Sequence, residues 1–193
     1  MSQPRADWPR TLEEFRVWHE RQPEVYEFID GVPRLMAPGS KAHTIIKGNV
    51  YAAIRAALRG TGCGVFVDGV QVEGEDFSFI PDVAVTCGPE DFSTPRAIEP
   101  VIIFEVLSPG TERDDIGRKL PRYLGIPSVR HVLIIHQDQR RIVHYERRDD
   151  LGGKFLTDIA PPDPIRLDPP GIVLAFDDVY EGVPLDQPPV TAP

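Results

Sequence analysis

The run Val101-Ile102-Ile103-Phe104-Glu105-Val106-Leu107 is apolar at every position but one, a pattern that predicts a strand buried on both faces. Around it the periodicity changes repeatedly between helix and strand. Thr11 to Gln22 predicts a helix with Thr11 as N-cap and Glu14 completing a capping box. Tyr26 to Ile29 and Val32 to Met36 flank Asp30-Gly31, a strong two-residue hairpin signal. Ser40 can cap a long helix to about Leu58, in which Ile45, Ile46, Val50, Ile54, Ala57 and Leu58 recur at helical spacing and Gly60 supplies the stop. Short strands are expected at Gly64 to Val67, Val70 to Glu73 and Phe79 to Thr86, followed by a proline-bearing loop from Gly88 to Pro100. Beyond the buried strand, Thr111 caps another helix, in whose interior Pro121 should cause a kink or an early break. Val129 to Ile135 and Ile142 to Glu146 predict two more strands joined by Gln137-Asp138-Gln139, and short apolar runs follow at Ile172 to Phe176 and Val179 to Tyr180. The order implies a mixed α/β fold in a single domain over residues 1–193, with 1–10 and 186–193 frayed.

Composition narrows the class. The chain is 41% hydrophobic and 26% charged, as expected of a soluble globular protein, and no apolar stretch approaches the roughly 18 residues of a membrane span. The N-terminal stretch lacks the apolar core of a signal peptide. Cys63 and Cys87 show no metal or redox spacing and are expected to stay reduced, which gives a cytoplasmic protein. A net charge of −9 argues against a protein that coats nucleic acid nonspecifically but is compatible with a nuclease. The local groups Arg113, Arg118, Lys119, Arg122 and Arg140, Arg141, Arg147, Arg148 read mainly as solvated faces.

The chemistry begins with Glu105. A carboxylate on a core strand costs several kcal/mol without a partner, or stays protonated. Asp82 has a matching context in Phe79-Ile80-Pro81-Asp82-Val83-Ala84-Val85. If their strands pair, about 4.8 Å apart, both acids can reach one Mg²⁺. Alternation puts Glu105 on the face of Val101, Ile103 and Leu107, and Asp82 on the face of Ile80 and Ala84. Lys119 is the natural third member. A helix from Thr111 that doubles back along the strand returns Lys119 to the level of Glu105, on the stripe of Ile116, Leu120 and Tyr123; the competing reading is a lysine whose stem snorkels to the edge. Converging acids repel, so at least one should have a raised pKa, and neutralising Asp82 should then stabilise the protein when no metal is bound.

Other residues carry less. On its own Glu27 reads as a solvent-facing position of a short strand, and His43 as a surface or boundary residue. His131, His136 and His144 lack metal-ligand spacing and are assigned to the surface. Asp114 and Asp115 suit the first turn of a helix. No phosphate-binding glycine loop, dinucleotide fingerprint or serine nucleophile elbow is present.

Tyr26-Glu27-Phe28-Ile29-Asp30-Gly31, His43, Pro81-Asp82-Val83-Ala84-Val85, Glu105-Val106-Leu107-Ser108-Pro109 and Lys119 with Tyr123, in this order, resemble the Uma-type restriction endonuclease family of bacteria, within the PD-(D/E)XK nuclease superfamily. The resemblance runs from about Thr11 to Asp178-Val179-Tyr180-Glu181-Gly182. It implies a restriction-endonuclease-like core, a central mixed sheet flanked by helices. It makes Asp82 and Glu105 metal ligands and Glu27 a further acid of the active site. The superfamily lysine usually lies two residues after the second acid, where this chain has Leu107; Lys119 matches the displaced position of the Uma-type pattern. The aromatic-rich strand usual after that helix is replaced by Arg130-His131-Val132-Leu133-Ile134.

The expectation is a Mg²⁺- or Mn²⁺-dependent endonuclease acting on DNA. Asp82, Glu105 and the backbone carbonyl of Val106 would hold the ion, Lys119 would position the attacking water or offset charge, and Glu27 would orient the water or help hold a second ion. A homodimer is the candidate assembly. The alternative is a nuclease-fold protein with little or no turnover, acting as a DNA-binding or oligomeric interaction module; a nuclease for RNA or branched DNA is a third reading.

Overall fold

The computed structural model describes residues 8–108, 112–160 and 164–185; the expected N-cap Thr111 and residues 186–193 lie outside these, as do the side chains of Asp114 and Asp115. Helix α1 (Leu12–His19) starts on Thr11, whose hydroxyl accepts the Glu14 N–H at 3.2 Å. The Glu14 carboxylate returns to the N–H of Arg10, one residue before the cap, at 2.8 Å. Strands β1 (Tyr26–Ile29) and β2 (Val32–Leu35) form the expected hairpin. Asp30 (φ 53°) and Gly31 (φ 74°) both occupy the left-handed region that a tight primed turn requires. Helix α2 (Lys41–Ala57) is capped by the Ser40 hydroxyl and buries Ile46, Val50 and Ile54. Ile45, assigned by periodicity to the same stripe, is exposed.

The expected strand from Phe79 to Thr86 is in fact two strands in two sheets. β5 (Phe77–Phe79) pairs with β1 and with β4 (Val72–Glu73), giving a small sheet in the order β2-β1-β5-β4. β6 (Val83–Thr86) joins the larger sheet beside β3 (Gly64–Val67) and β7 (Pro100–Leu107). Ile80-Pro81-Asp82 links them. Proline has no N–H to give a ladder, so the chain can leave one sheet and enter the next at this point. The apolar residues on either side of Pro81-Asp82 conceal that change of partner.

The larger sheet has the order β10 (Lys154–Ala160), β9 (Ile142–Arg148), β8 (His131–His136), β7, β6, β3. β7 runs parallel to β8 (His131–His136) and antiparallel to β6. All eight residues of β7 are buried, as its composition requires. The β7–β8 crossover is α3 (Glu112–Gly125), which continues through Pro121 instead of breaking there. The carbonyl of Gly117 loses its helical partner, but that residue is exposed and water can serve it. β9 (Ile142–Arg148) and β10 (Lys154–Ala160) extend the sheet, and β11 (Ile165–Leu167) pairs with β12 (Ile172–Leu174) ahead of the short α4 (Phe176–Val179).

Helix α2 and the β11–β12 hairpin cover one face of the large sheet, against Val83, Val85, Ile102 and Phe104. Helix α3 covers the other, bringing Ile116, Leu120 and Tyr123 against Ala84, Ile103 and Leu107. Two expectations fail. His131, His136 and His144 are all buried: both faces of β8, which carries the first two, are turned inward, and His144 on β9 pairs with Leu133 in the middle of the sheet. His131 Nδ1 lies 3.0 Å from His144 Nε2, and burial, with His144 adding to it, holds the His131 pKa down at about 4. Cys63 and Cys87 are joined in a disulfide. The Gly64↔Thr86 pairing sets them side by side at the end of the β3–β6 ladder, a register that sequence spacing cannot show. Closing a loop with a separation of 24 residues contributes about 3 kcal/mol in the chain-entropy account. Cys87→Ser, or reductant, should therefore lower stability by up to about that amount, read from denaturant melts with and without reductant. Coincident curves would show that the bond adds nothing.

Candidate active site

The parting of β5 from β6 leaves the C-terminal end of β7 without a strand on that side. Val83 pairs with Phe104, so the next step of the register sets Asp82 opposite Glu105. Here the Asp82 carboxylate replaces a ladder partner: its Oδ2 accepts the N–H of Val106 at 2.7 Å. Strand alternation places Asp82 and Glu105 on one face, as expected from sequence. Glu27 reaches the same point from the small sheet, and its Oε1 accepts the Ile80 N–H at 2.9 Å. Glu27, Asp82 and Glu105 are each less than a tenth exposed. The solvent-facing reading of Glu27 is thus overturned, because alternation within four residues cannot show that a second sheet covers that face.

Lys119 joins two of the acids. Its Nζ donates to Glu27 Oε1 at 2.7 Å and lies 3.5 Å from Glu105 Oε1, and it sits 5.6 Å from the centre of the Phe79 ring. The side chain is 12% exposed, so it is held inside and does not snorkel. One helical turn on, the Tyr123 hydroxyl donates to Glu105 Oε1 at 2.6 Å. The neighbouring Arg118 and Arg122 pair with Asp30 at the tip of the β1–β2 hairpin.

Helix α2 supplies two further residues, His43, whose own context marks it as a boundary position, and Lys47. His43 Nε2 is 3.2 Å from Asp82 Oδ1, and Lys47 Nζ, one turn on, is 3.9 Å from the same oxygen and 2.9 Å from Asp68 Oδ1. The His43 ring packs on Gly39, where a Cβ would come within 2.7 Å of Nδ1. Ser40 accepts the His43 N–H and donates to Gln137, whose amide donates to the Leu107 carbonyl at 2.8 Å. The N-terminus of α2 is therefore tied to the end of β7. The spacing of His43 and Lys47, on one helical face, was the available signal; their common target was not.

The arrangement is electrostatically tense at Glu105. Burial first, then the charges of Asp82 and Glu27, raise its pKa to about 7 against the opposing pull of Lys119, and burial pushes the Tyr123 hydroxyl well above its ordinary value. A divalent ion would relieve this tension. Among the described residues no group of three or more His, Cys, Asp and Glu is arranged to hold a metal. The two hard carboxylates nonetheless have the donor chemistry Mg²⁺ takes, since that ion keeps several waters and takes the rest of its shell from substrate phosphate.

Comparison with known proteins agrees with this architecture. The profile of the Uma2 family, described as "Putative restriction endonuclease", matches residues 12–170. The chain is 32% identical to the Synechocystis protein slr1290 over 184 residues, covering 93% of this chain and 96% of that protein. It is 28% identical to sll1609 of the same organism over 146 residues, covering 72% and 82% respectively. The crystal structure of a protein from Anabaena variabilis described as "a putative nuclease" superposes with a TM-score of 0.72 at 18% identity, over 89% of this chain and 98% of that one. The fold is restriction-endonuclease-like.

The bonds of the site sort the acids by their effect on stability without metal. Asp82 is satisfied by the Val106 N–H and by His43, so Asp82→Asn should destabilise the protein in chelator by about 1–3 kcal/mol, the reverse of what repulsion alone suggests. Glu105 is the strained group. Its folded pKa, raised from 4.5 to about 7, gives a contribution fully present below pH 4.5 and lost as pH rises through 7. In chelator, Glu105→Gln should match the parent near pH 4.5 and exceed it by at most about 3 kcal/mol at pH 8, measured by denaturant melts across that range. A difference independent of pH would rule out a strained carboxylate.

Proposed function

The chain belongs to the Uma2 family, and on that premise we propose that it is a Mg²⁺- or Mn²⁺-dependent endonuclease hydrolysing phosphodiester bonds in DNA. The observation that carries this reading is the meeting of Asp82 and Glu105 across one strand register, with Lys119 reaching in between Glu27 and Glu105. Asp82, Glu105 and the Val106 carbonyl would hold the ion. When bound, the ion polarises the scissile phosphate and lowers the pKa of a coordinated water.

The chain's own residues do the rest. Lys119 offsets charge developing on the phosphate or positions the attacking water. Glu27, at 2.7 Å, fixes the ammonium where it can do so. Tyr123, fully buried, orients the Glu105 carboxylate through its hydroxyl. The closed packing around the acids lowers the local dielectric and strengthens each of these interactions.

Calorimetric titration with Mn²⁺ should show binding by the parent that disappears in Asp82→Asn and Glu105→Gln. Lys119→Met, which removes a charge of the same sign as the ion, should keep the metal and lose cleavage on the order of a hundredfold. The assay offers single-stranded, duplex and branched DNA, and RNA, each with Mg²⁺, Mn²⁺ or chelator. Metal-dependent cleavage of DNA supports the proposal. DNA binding without turnover on any substrate would replace it with an interaction module, and cleavage undiminished in Lys119→Met would remove the lysine from the chemistry.

A further inference from the structure

We infer that Lys47 is a second phosphate-binding arm of this site, engaging a non-bridging oxygen of the DNA backbone from the side opposite Lys119; the inference rests on the nuclease reading. The two lysines arrive on helices that pack against opposite faces of the large sheet, α2 with Ile46, Val50 and Ile54 on one side and α3 with Tyr123 on the other. Lys119 pairs with Glu27 and approaches Glu105. Lys47 stands against Asp82, on the oxygen that His43 also faces.

Burial and charge say what Lys47 is for. Its side chain is 16% exposed, and a lysine pressed into a protein to that extent gives up much of its hydration. Its nearer partner, Asp68 at 2.9 Å, is 60% exposed, and a pair with so exposed a carboxylate returns little stability. Asp82 Oδ1 lies farther away, at 3.9 Å, and an ion held by Asp82 carries the same sign of charge as the ammonium and competes with it for that oxygen. The ammonium is then left with one weak, solvent-facing partner, Asp68, beside the carboxylates that bind the ion. A phosphodiester brought to that ion supplies the missing counter-charge. Such local recognition matters in a chain of net charge −9, which as a whole repels DNA.

The test measures binding, not turnover. In the Lys119→Met background with Mn²⁺, a fluorescein-labelled DNA duplex and its single strand are titrated by anisotropy over a series of salt concentrations. Lys47→Met should weaken DNA binding about tenfold and reduce the slope of log K against log salt by about one, while Mn²⁺ affinity measured by calorimetry stays equal or rises. Lys47→Arg should restore the slope. Asp68→Asn, which frees the ammonium, should tighten DNA binding, and this gain should vanish when Lys47→Met is combined with it. Unchanged affinity and slope in Lys47→Met, with DNA bound by the background protein, would overturn this inference and leave the nuclease reading standing. So would a fall in Mn²⁺ affinity or an Asp68→Asn gain that persists without Lys47. If the background protein and the parent bind no DNA at any salt concentration, the nuclease reading itself falls, and this inference with it.

Discussion

The site depends on one hydrogen bond, from the Val106 N–H to the Asp82 carboxylate. Where β6 begins, the ladder along β7 would otherwise end in an unpaired donor inside the protein, which costs as much as a lost hydrogen bond. Asp82 supplies the acceptor from a side chain, so the backbone of the connecting segment is free to turn away into the second sheet. The same substitution of side chain for strand places a carboxylate beside Glu105. Structural closure of the fork and assembly of the acids are therefore one event, and a residue that merely continued the strand would achieve neither.

Two kinds of bond then hold the acids against their mutual repulsion. Backbone donors, Ile80 to Glu27 and Val106 to Asp82, are permanent features of the fold. Side-chain partners, Lys119 from α3 with His43 and Lys47 from α2, can be exchanged for a ligand. Glu105 accepts the Tyr123 hydroxyl and is approached by Lys119, but its own burial outweighs both. It carries the residual tension of the site.

Much of this was legible in the residues. The apolar run around Glu105, the Asp30-Gly31 turn and the helical stripe that carries Lys119 each specify local geometry, and the acid-acid-lysine grouping follows from them. What escaped was information held by neighbours in space. The residues on either side of Pro81-Asp82 are apolar because both sheets demand it, so Pro81, which cannot donate to a ladder, is the one local sign of the change of sheet. Glu27, His131, His136 and His144 are polar residues that local pattern places in solvent, yet each is buried by packing that its own segment does not show. Cys63 and Cys87 meet only through strand register. His43 and Lys47 have the right spacing, but a helix face does not announce what it packs against.

The hairpin tip has a mechanical consequence for α3. Arg118 and Arg122 lie one turn apart on that helix and both grip Asp30, while Lys119 projects inward between them in sequence. A helix held at two points one turn apart cannot roll about its axis without releasing one of them. The turn of a peripheral hairpin thus biases the angular setting of the inward lysine from outside the sheet that carries Asp82 and Glu105, by the modest amount that pairs this exposed can supply.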